Sequence, residues 1–145
     1  MSPRTAIFPK KPHALYKQHG YSPAILCDNF LFVSGMVGAR EDGTPEPHLN
    51  AQIQLAFDSL QGVLEAAGCS FDDVVDVTFY LVNPEASMDM LLEGIQKAFS
   101  QNPPPSVTAV GVTWLAGFQF EIKVIARVPQ NRCDPGQPYE LNIHN

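Results

Sequence analysis

The chain has 145 residues, of which 45% are hydrophobic, so it is long and apolar enough for one folded domain and is not a disordered chain. Nine basic against fifteen acidic side chains give a formal net charge of −6, and the segment from Glu41 to Gln96 has eleven acidic and no basic side chains. A nucleic-acid partner needs clustered basic residues, so none is expected.

The first half of the chain predicts short strands followed by a long helix. Runs rich in β-branched and aromatic residues, bounded by turn residues, predict strands over residues 5–8, 24–27 and 30–35. The turn-forming pair Asp28-Asn29 makes the second and third of these strands a hairpin. From His48 to Ala67 apolar residues recur every three or four positions, which predicts an amphipathic helix that Gly68 ends.

The second half predicts three strands and one more helix. A β-branched and aromatic run predicts a strand over residues 74–82. Asn83-Pro84 is a typical helix start, and we expect that helix to end at Asn102-Pro103. The last two predicted strands cover residues 106–112 and 119–128.

The order of these elements predicts an α+β fold with a mixed sheet of about six strands and two helices packed on one face. Phe120, Ile122 and Val124 alternate with Glu121 and Lys123 in the last strand, so one face of the sheet is apolar and the other is half-polar. No third helix is predicted to cover the half-polar face, which is therefore either wet or packed against another subunit. Residues 1–129 are predicted to form one domain and residues 130–145 a polar C-terminal tail.

The cysteines and the longest uncharged run bear on the cellular compartment. Cys27, Cys69 and Cys133 are odd in number and form no C-x-x-C pair, so neither a disulfide framework nor a zinc site is expected. The uncharged run over residues 98–120 contains three consecutive prolines and is not expected to span a membrane. These features predict a cytoplasmic protein without a metal, a cofactor or a membrane partner.

Four ordered segments resemble the YjgF/RidA family, which also carries the label endoribonuclease L-PSP. They are Tyr-Ser-Pro-Ala at 21–24, Leu-Phe-Val-Ser-Gly at 31–35, Ala-Ala-Gly-Cys-Ser-Phe-Asp-Asp-Val-Val at 66–75 and Phe-Glu-Ile-Lys-Val-Ile-Ala at 120–126. Residues 42–47 and 108–117 are similar to the YjgH branch of that family. The resemblance implies a chorismate-mutase-like fold and a homotrimer with three clefts between subunits. It also implies hydrolysis of reactive enamines and imines, such as 2-aminoacrylate, to 2-keto acids and ammonia.

The resemblance assigns roles to four residues. Tyr21 matches the cleft tyrosine of the family, Ser34 and Gly35 match its strand-end serine and glycine, and Glu121 matches the glutamate that helps to position the hydrolytic water. A simpler interpretation of Ser34-Gly35 is the end of a strand. The corresponding interpretation of Glu121 is an ion pair with Lys123 or Arg127 of a neighbouring strand.

One family feature is missing from this chain. The deaminases of the family carry an arginine on the strand after the proline-rich loop, where a guanidinium can grip a substrate carboxylate with two hydrogen bonds. Ser106 or Val107 occupies that position, depending on the alignment, and Glu93 takes the place of the cleft asparagine. An acid in the cleft would repel a carboxylate, so 2-aminoacrylate deaminase activity is doubtful.

Three functions remain open at this point. The first is a hydrolase or deaminase that acts in intersubunit clefts on a small imine-like metabolite, which need not carry a carboxylate. The alternative is a non-catalytic trimer that binds a small ligand or a partner. The third is the endoribonuclease of the family label, which the acidic charge balance disfavours.

Overall fold

The computed structural model describes residues 3–130. This part of the chain forms seven strands and three helices. In chain order they are β1 (Thr5–Ile7), α1 (Leu15–His19), β2 (Ala24–Cys27), β3 (Phe30–Val33), β4 (Met36–Val37), α2 (Leu49–Ala66), β5 (Val74–Leu81), α3 (Pro84–Ala98), β6 (Ser106–Gly111) and β7 (Phe120–Arg127). Apart from Gln130, the predicted tail at 130–145 and its Cys133 lie outside the described residues.

The strands form one mixed sheet in the order β1-β2-β3-β7-β5-β6, with β4 paired to β7 beyond the end of β3. Only β5 and β6 are parallel within this sheet of residues 3–130, and α3 makes the crossover between them. The other pairs are antiparallel, including the predicted hairpin of β2 and β3. The prediction of an α+β fold with a mixed sheet is therefore confirmed, with seven strands rather than about six.

The core lies between α2, α3 and one face of the sheet. Phe120, Ile122, Val124 and Ala126 of β7 are at most 1% exposed and pack in the same cluster as the buried residues of both helices. Phe120, Ile122 and Val124 each contribute roughly 1.5–3 kcal/mol by leaving water. The intervening residues of β7, from Glu121 to Arg127, point to the other side of the sheet, here called the open face.

Two short elements were not predicted from the sequence. The five residues of α1 give too few apolar repeats for a helical period, and the helix is held by Tyr16, which is 4% exposed. The two residues of β4 are likewise too few for an alternation. The long helix ends as predicted, with Gly68 at a positive φ of 77°. Within residues 3–130 no helix has the length and apolar character needed to cross a bilayer.

Candidate functional site

Glu121 is at the centre of a cluster on the open face. It lies on β7 between Val37 of β4 and Tyr80 of β5. A Cβ atom on Gly35 would overlap the carboxyl group of Glu121, so only a glycine at position 35 leaves room for that side chain. Burial raises the pKa of the Tyr21 phenol, and the charge of Glu121 nearby raises it further. The structure therefore brings Tyr21, Gly35 and Glu121 together.

Backbone and hydroxyl contacts position Ser34 beside this cluster. The Ser34 amide donates to the Pro23 carbonyl at 2.9 Å, and its hydroxyl donates to the Ser22 carbonyl at 2.7 Å. These bonds fasten the end of β3 to the segment that follows Tyr21. The Tyr21 ring packs edge-on against Tyr16, with ring centroids 5.1 Å apart, and Tyr16 is part of the core. These contacts hold Tyr21 and Ser34 in place next to Gly35 and Glu121.

Lys123 shapes the electrostatics of Glu121. Burial raises the pKa of the Glu121 carboxyl, and the positive charge of Lys123 opposes part of that rise. The Lys123 ammonium donates to the Val33 carbonyl at 2.8 Å, and within residues 3–130 no salt bridge joins it to Glu121. Glu121 is therefore a partly desolvated carboxyl with a cation nearby, an environment that suits a carboxyl for proton transfer.

Replacing Gly35 with alanine is expected to displace the Glu121 side chain while leaving the fold intact. The new methyl group would overlap the flexible end of Glu121 rather than the backbone, so the carboxyl would turn toward water. We expect the Glu121 pKa, measured by carboxyl ¹³C NMR, to fall toward its ordinary value. Gly62→Ala is the control, because a Cβ there meets only Pro9, at 3.8 Å. An unchanged Glu121 pKa in Gly35→Ala would show that the contact does not set the carboxyl position.

Replacing Glu121 with glutamine is expected to stabilise the protein at neutral pH. The folded-state pKa of Glu121 is raised, so the stability contribution of the protonated acid is full below the unfolded pKa and is lost as the pH rises through the folded pKa. Glutamine does not titrate. The melting temperatures of wild type and Glu121→Gln should therefore agree near pH 4 and separate as the pH rises, with the variant higher.

Thermal unfolding between pH 4 and pH 8 measures this separation, with Glu41→Gln as the control at an exposed loop carboxylate. A variant whose melting temperature stays level with, or below, that of wild type at pH 8 would contradict the raised pKa.

The pairing of β5 with β6 separates the two candidates for the missing arginine. Ser106 pairs with Asp76 and Val107 pairs with Val77. Val77 is buried under the helices, so Val107 belongs to the helix-facing side of the sheet, whereas Asp76 and Ser106 lie on the open face with Glu121. The Ser106 hydroxyl donates to the Asp76 carboxylate at 2.6 Å.

The structure does not bring Glu93 to this cluster. Glu93 lies on α3, which packs on the opposite side of the sheet from Glu121. Its side chain is 66% exposed and forms an ion pair with Lys97 at 3.4 Å, one helical turn away. It lines a cavity of about 550 Å³ between α2 and α3. The match of Glu93 to a cleft asparagine has no support in this geometry.

Asp76 is the site residue that the sequence predictions missed. Strand alternation already put Asp76 and Tyr80 on one face of β5. Its contact with Ser106 depends on the register between β5 and β6, which are joined by a whole helix, so sequence spacing could not reveal it.

Comparison with known proteins gives consistent matches. The Endoribonuclease L-PSP family matches residues 11–128. RutC family protein YjgH of Escherichia coli (strain K12) is 55% identical over 130 residues, which are 90% of this chain and 99% of the relative. A 2-iminobutanoate/2-iminopropanoate deaminase of Dermatophagoides farinae is 30% identical over 117 residues, which are 79% and 88% of the two chains. The solved structure of protein YJGH superposes with a TM-score of 0.82 at 56% identity, over 87% of this chain and 97% of that one.

Proposed function

The chain belongs to the Endoribonuclease L-PSP family, also called the YjgF/RidA family, and we propose that it is a homotrimeric hydrolase that acts on a small imine-like metabolite in clefts between subunits. The substrate class is an imine or enamine without a carboxylate. The observation that carries this proposal is the cluster of Tyr21, Ser34 and Gly35 around the partly desolvated Glu121 carboxyl.

Glu121 is suited to activate water. In the proposed reaction its carboxylate accepts a proton from a water molecule as the water oxygen bonds to the imine carbon. Glu121 then returns that proton to the nitrogen, which gives a carbinolamine. It next takes the proton of the new hydroxyl group and passes it to the nitrogen as the carbon–nitrogen bond breaks, so the net change is imine plus water to carbonyl compound plus ammonia. The hydroxyl of Tyr21 lies on the same side and can orient the water or the substrate.

One chain alone does not place Glu121 and Ser106 close enough to contact the same small ligand. The open face exposes Phe30, Phe32 and Val110 at 41%, 44% and 38%, which is the pattern of a covered sheet rather than a wet one. Glu121 pairs with Tyr80, and Tyr80 pairs with Val110 of β6, so Val110 is level with Glu121 across the sheet. Ser106 lies four residues from Val110, which at about 3.3 Å per residue is about 13 Å along β6. A small ligand can touch both positions only if a second chain supplies one of them, which supports the trimer.

The missing arginine favours a substrate without a carboxylate. Ser106 supplies a hydroxyl, already bonded to Asp76, where the deaminases of the family have a guanidinium. The similar deaminase of Dermatophagoides farinae is named for the imino acids 2-iminobutanoate and 2-iminopropanoate. We propose the same reaction type for this chain with a different substrate charge. A non-catalytic ligand-binding trimer is the second candidate, because the same cluster could hold a ligand without turning it over.

An imine-trapping assay tests this proposal. A flavin-dependent amine oxidase generates carboxylate-free imines from primary amines, and semicarbazide captures the imine that has not been hydrolysed. We expect wild-type protein to lower the yield of early semicarbazone and Glu121→Gln to leave it unchanged, with Glu41→Gln as the control. Ligand binding without any acceleration across a panel of amines would favour the non-catalytic trimer.

A further inference from the structure

We propose that Asp76 makes the cleft selective for cationic and neutral ligands over carboxylates, a specificity that rests on the proposed function. Asp76 is half-buried on the open face, between Ile125 of β7 and Ser106 of β6. Its carboxylate accepts the Ser106 hydroxyl at 2.6 Å, and that single bond leaves most of its acceptor capacity unused. Ser106 and Asp76 therefore act as one acidic unit.

The cations of the open face form no salt bridge with this unit among residues 3–130. Lys123 lies one row away on β7, and its ammonium donates to the Val33 carbonyl on the far side of β7 from Asp76. Arg127 lies beyond Ile125 on the same strand and pairs with Phe30. Within residues 3–130 no salt bridge is formed by Asp76. Its negative charge remains available to a ligand.

In the proposed trimer, this charge would face Glu121 of a neighbouring subunit across the cleft. Both carboxyls would then face one small ligand in a site with less water than the free surface, where charge interactions are stronger. A ligand carboxylate would meet repulsion, and a protonated imine or amine would be attracted. A protonated imine is also the form that water attacks most readily, so the same charge favours the proposed chemistry.

Three ligands with one four-carbon skeleton test the selectivity. They are 2-oxobutanoate, 2-oxobutanamide and 1-aminobutan-2-one, which carry a negative, a zero and a positive charge. Dissociation constants come from NMR titrations followed at the amides of Gly35 and Glu121. For wild type we expect the anion to bind at least about tenfold more weakly than the cation, a gap that narrows at high salt because screening weakens charge interactions.

Asp76→Asn should remove most of the difference in affinity between the anion and the cation, because it weakens cation binding and strengthens anion binding. Asp89→Asn, which removes an exposed charge on α3, should leave the gap unchanged. Equal affinities for all three ligands in wild type, or a gap that persists in Asp76→Asn, would overturn the role of Asp76 while leaving a binding cleft at Glu121 intact. Failure of all three ligands to bind would contradict both this role and the proposed function.

Discussion

Hydrolysis of 2-aminoacrylate is expected to be at least about a hundredfold slower than in a relative that carries the arginine, under matched conditions. Ser106, which lies on the open face, is the residue that we propose in place of the family arginine, and in that case the substrate carboxylate has no cationic partner. Losing one partner of a buried charged contact costs roughly 2–5 kcal/mol, and about 1.4 kcal/mol corresponds to a factor of ten. The neighbouring carboxylate of Asp76 adds repulsion in the same place.

A coupled assay measures this rate, with a pyridoxal-dependent serine enzyme supplying the enamine. Ser106→Arg combined with Asp76→Asn should raise the rate, because it restores a guanidinium and removes the opposing charge. Val107→Arg is the matched control, since position 107 belongs to the helix-facing side of the sheet. A wild-type rate comparable to that of the arginine-bearing relative would mean that another group holds the carboxylate.

Placing a charge at the centre of the open face is expected to break the proposed trimer into monomers. Thr78 pairs with Lys123 on one side and with Thr108 on the other. Thr78→Arg would bury an unpaired cation beside Lys123 at the proposed interface, where an uncompensated charge costs about 3–5 kcal/mol. The mass in solution should fall from that of three 15.9 kDa chains, about 48 kDa, to that of one chain.

Sedimentation velocity gives this mass directly. Leu92→Arg is the matched control, because Leu92 is 51% exposed on α3, on the opposite side of the sheet. Both variants should keep the far-ultraviolet circular dichroism of a folded protein. A wild type that sediments as a monomer at micromolar concentration, or a Thr78→Arg variant that remains a trimer, would rule out the open face as the interface.

Most of the fold was predictable because it follows local patterns. The turn residues Asp28-Asn29 predict the hairpin, and apolar repeats predict both long helices. Gly68 follows the end of α2, and Pro84 begins α3. One strand detail was not predictable. A register shift between Val74 and Asp76 buries Val74 and leaves Val75 43% exposed, which reverses the alternation expected there.

The candidate site was predictable only where a motif carried it. The resemblance to the YjgF/RidA family and its YjgH branch is confirmed by the comparisons, and the residues matched through its motifs, Tyr21, Gly35 and Glu121, do lie together. Glu93 was assigned to the position of the cleft asparagine, but no family motif surrounds it on the helix. In the structure it lies on the other side of the sheet from Glu121. The choice between Ser106 and Val107 required the register of a parallel strand pair, which no local pattern encodes.

We propose that a second chain completes the site around Glu121. A crystal structure of the protein soaked with 2-oxobutanamide would show whether it does. We expect a threefold trimer with the open faces covered and ligand density between Glu121 of one subunit and the Ser106–Asp76 pair of the next. An assembly that leaves the open face in solvent, or that lines separate surfaces with Glu121 and Ser106, would contradict the claim.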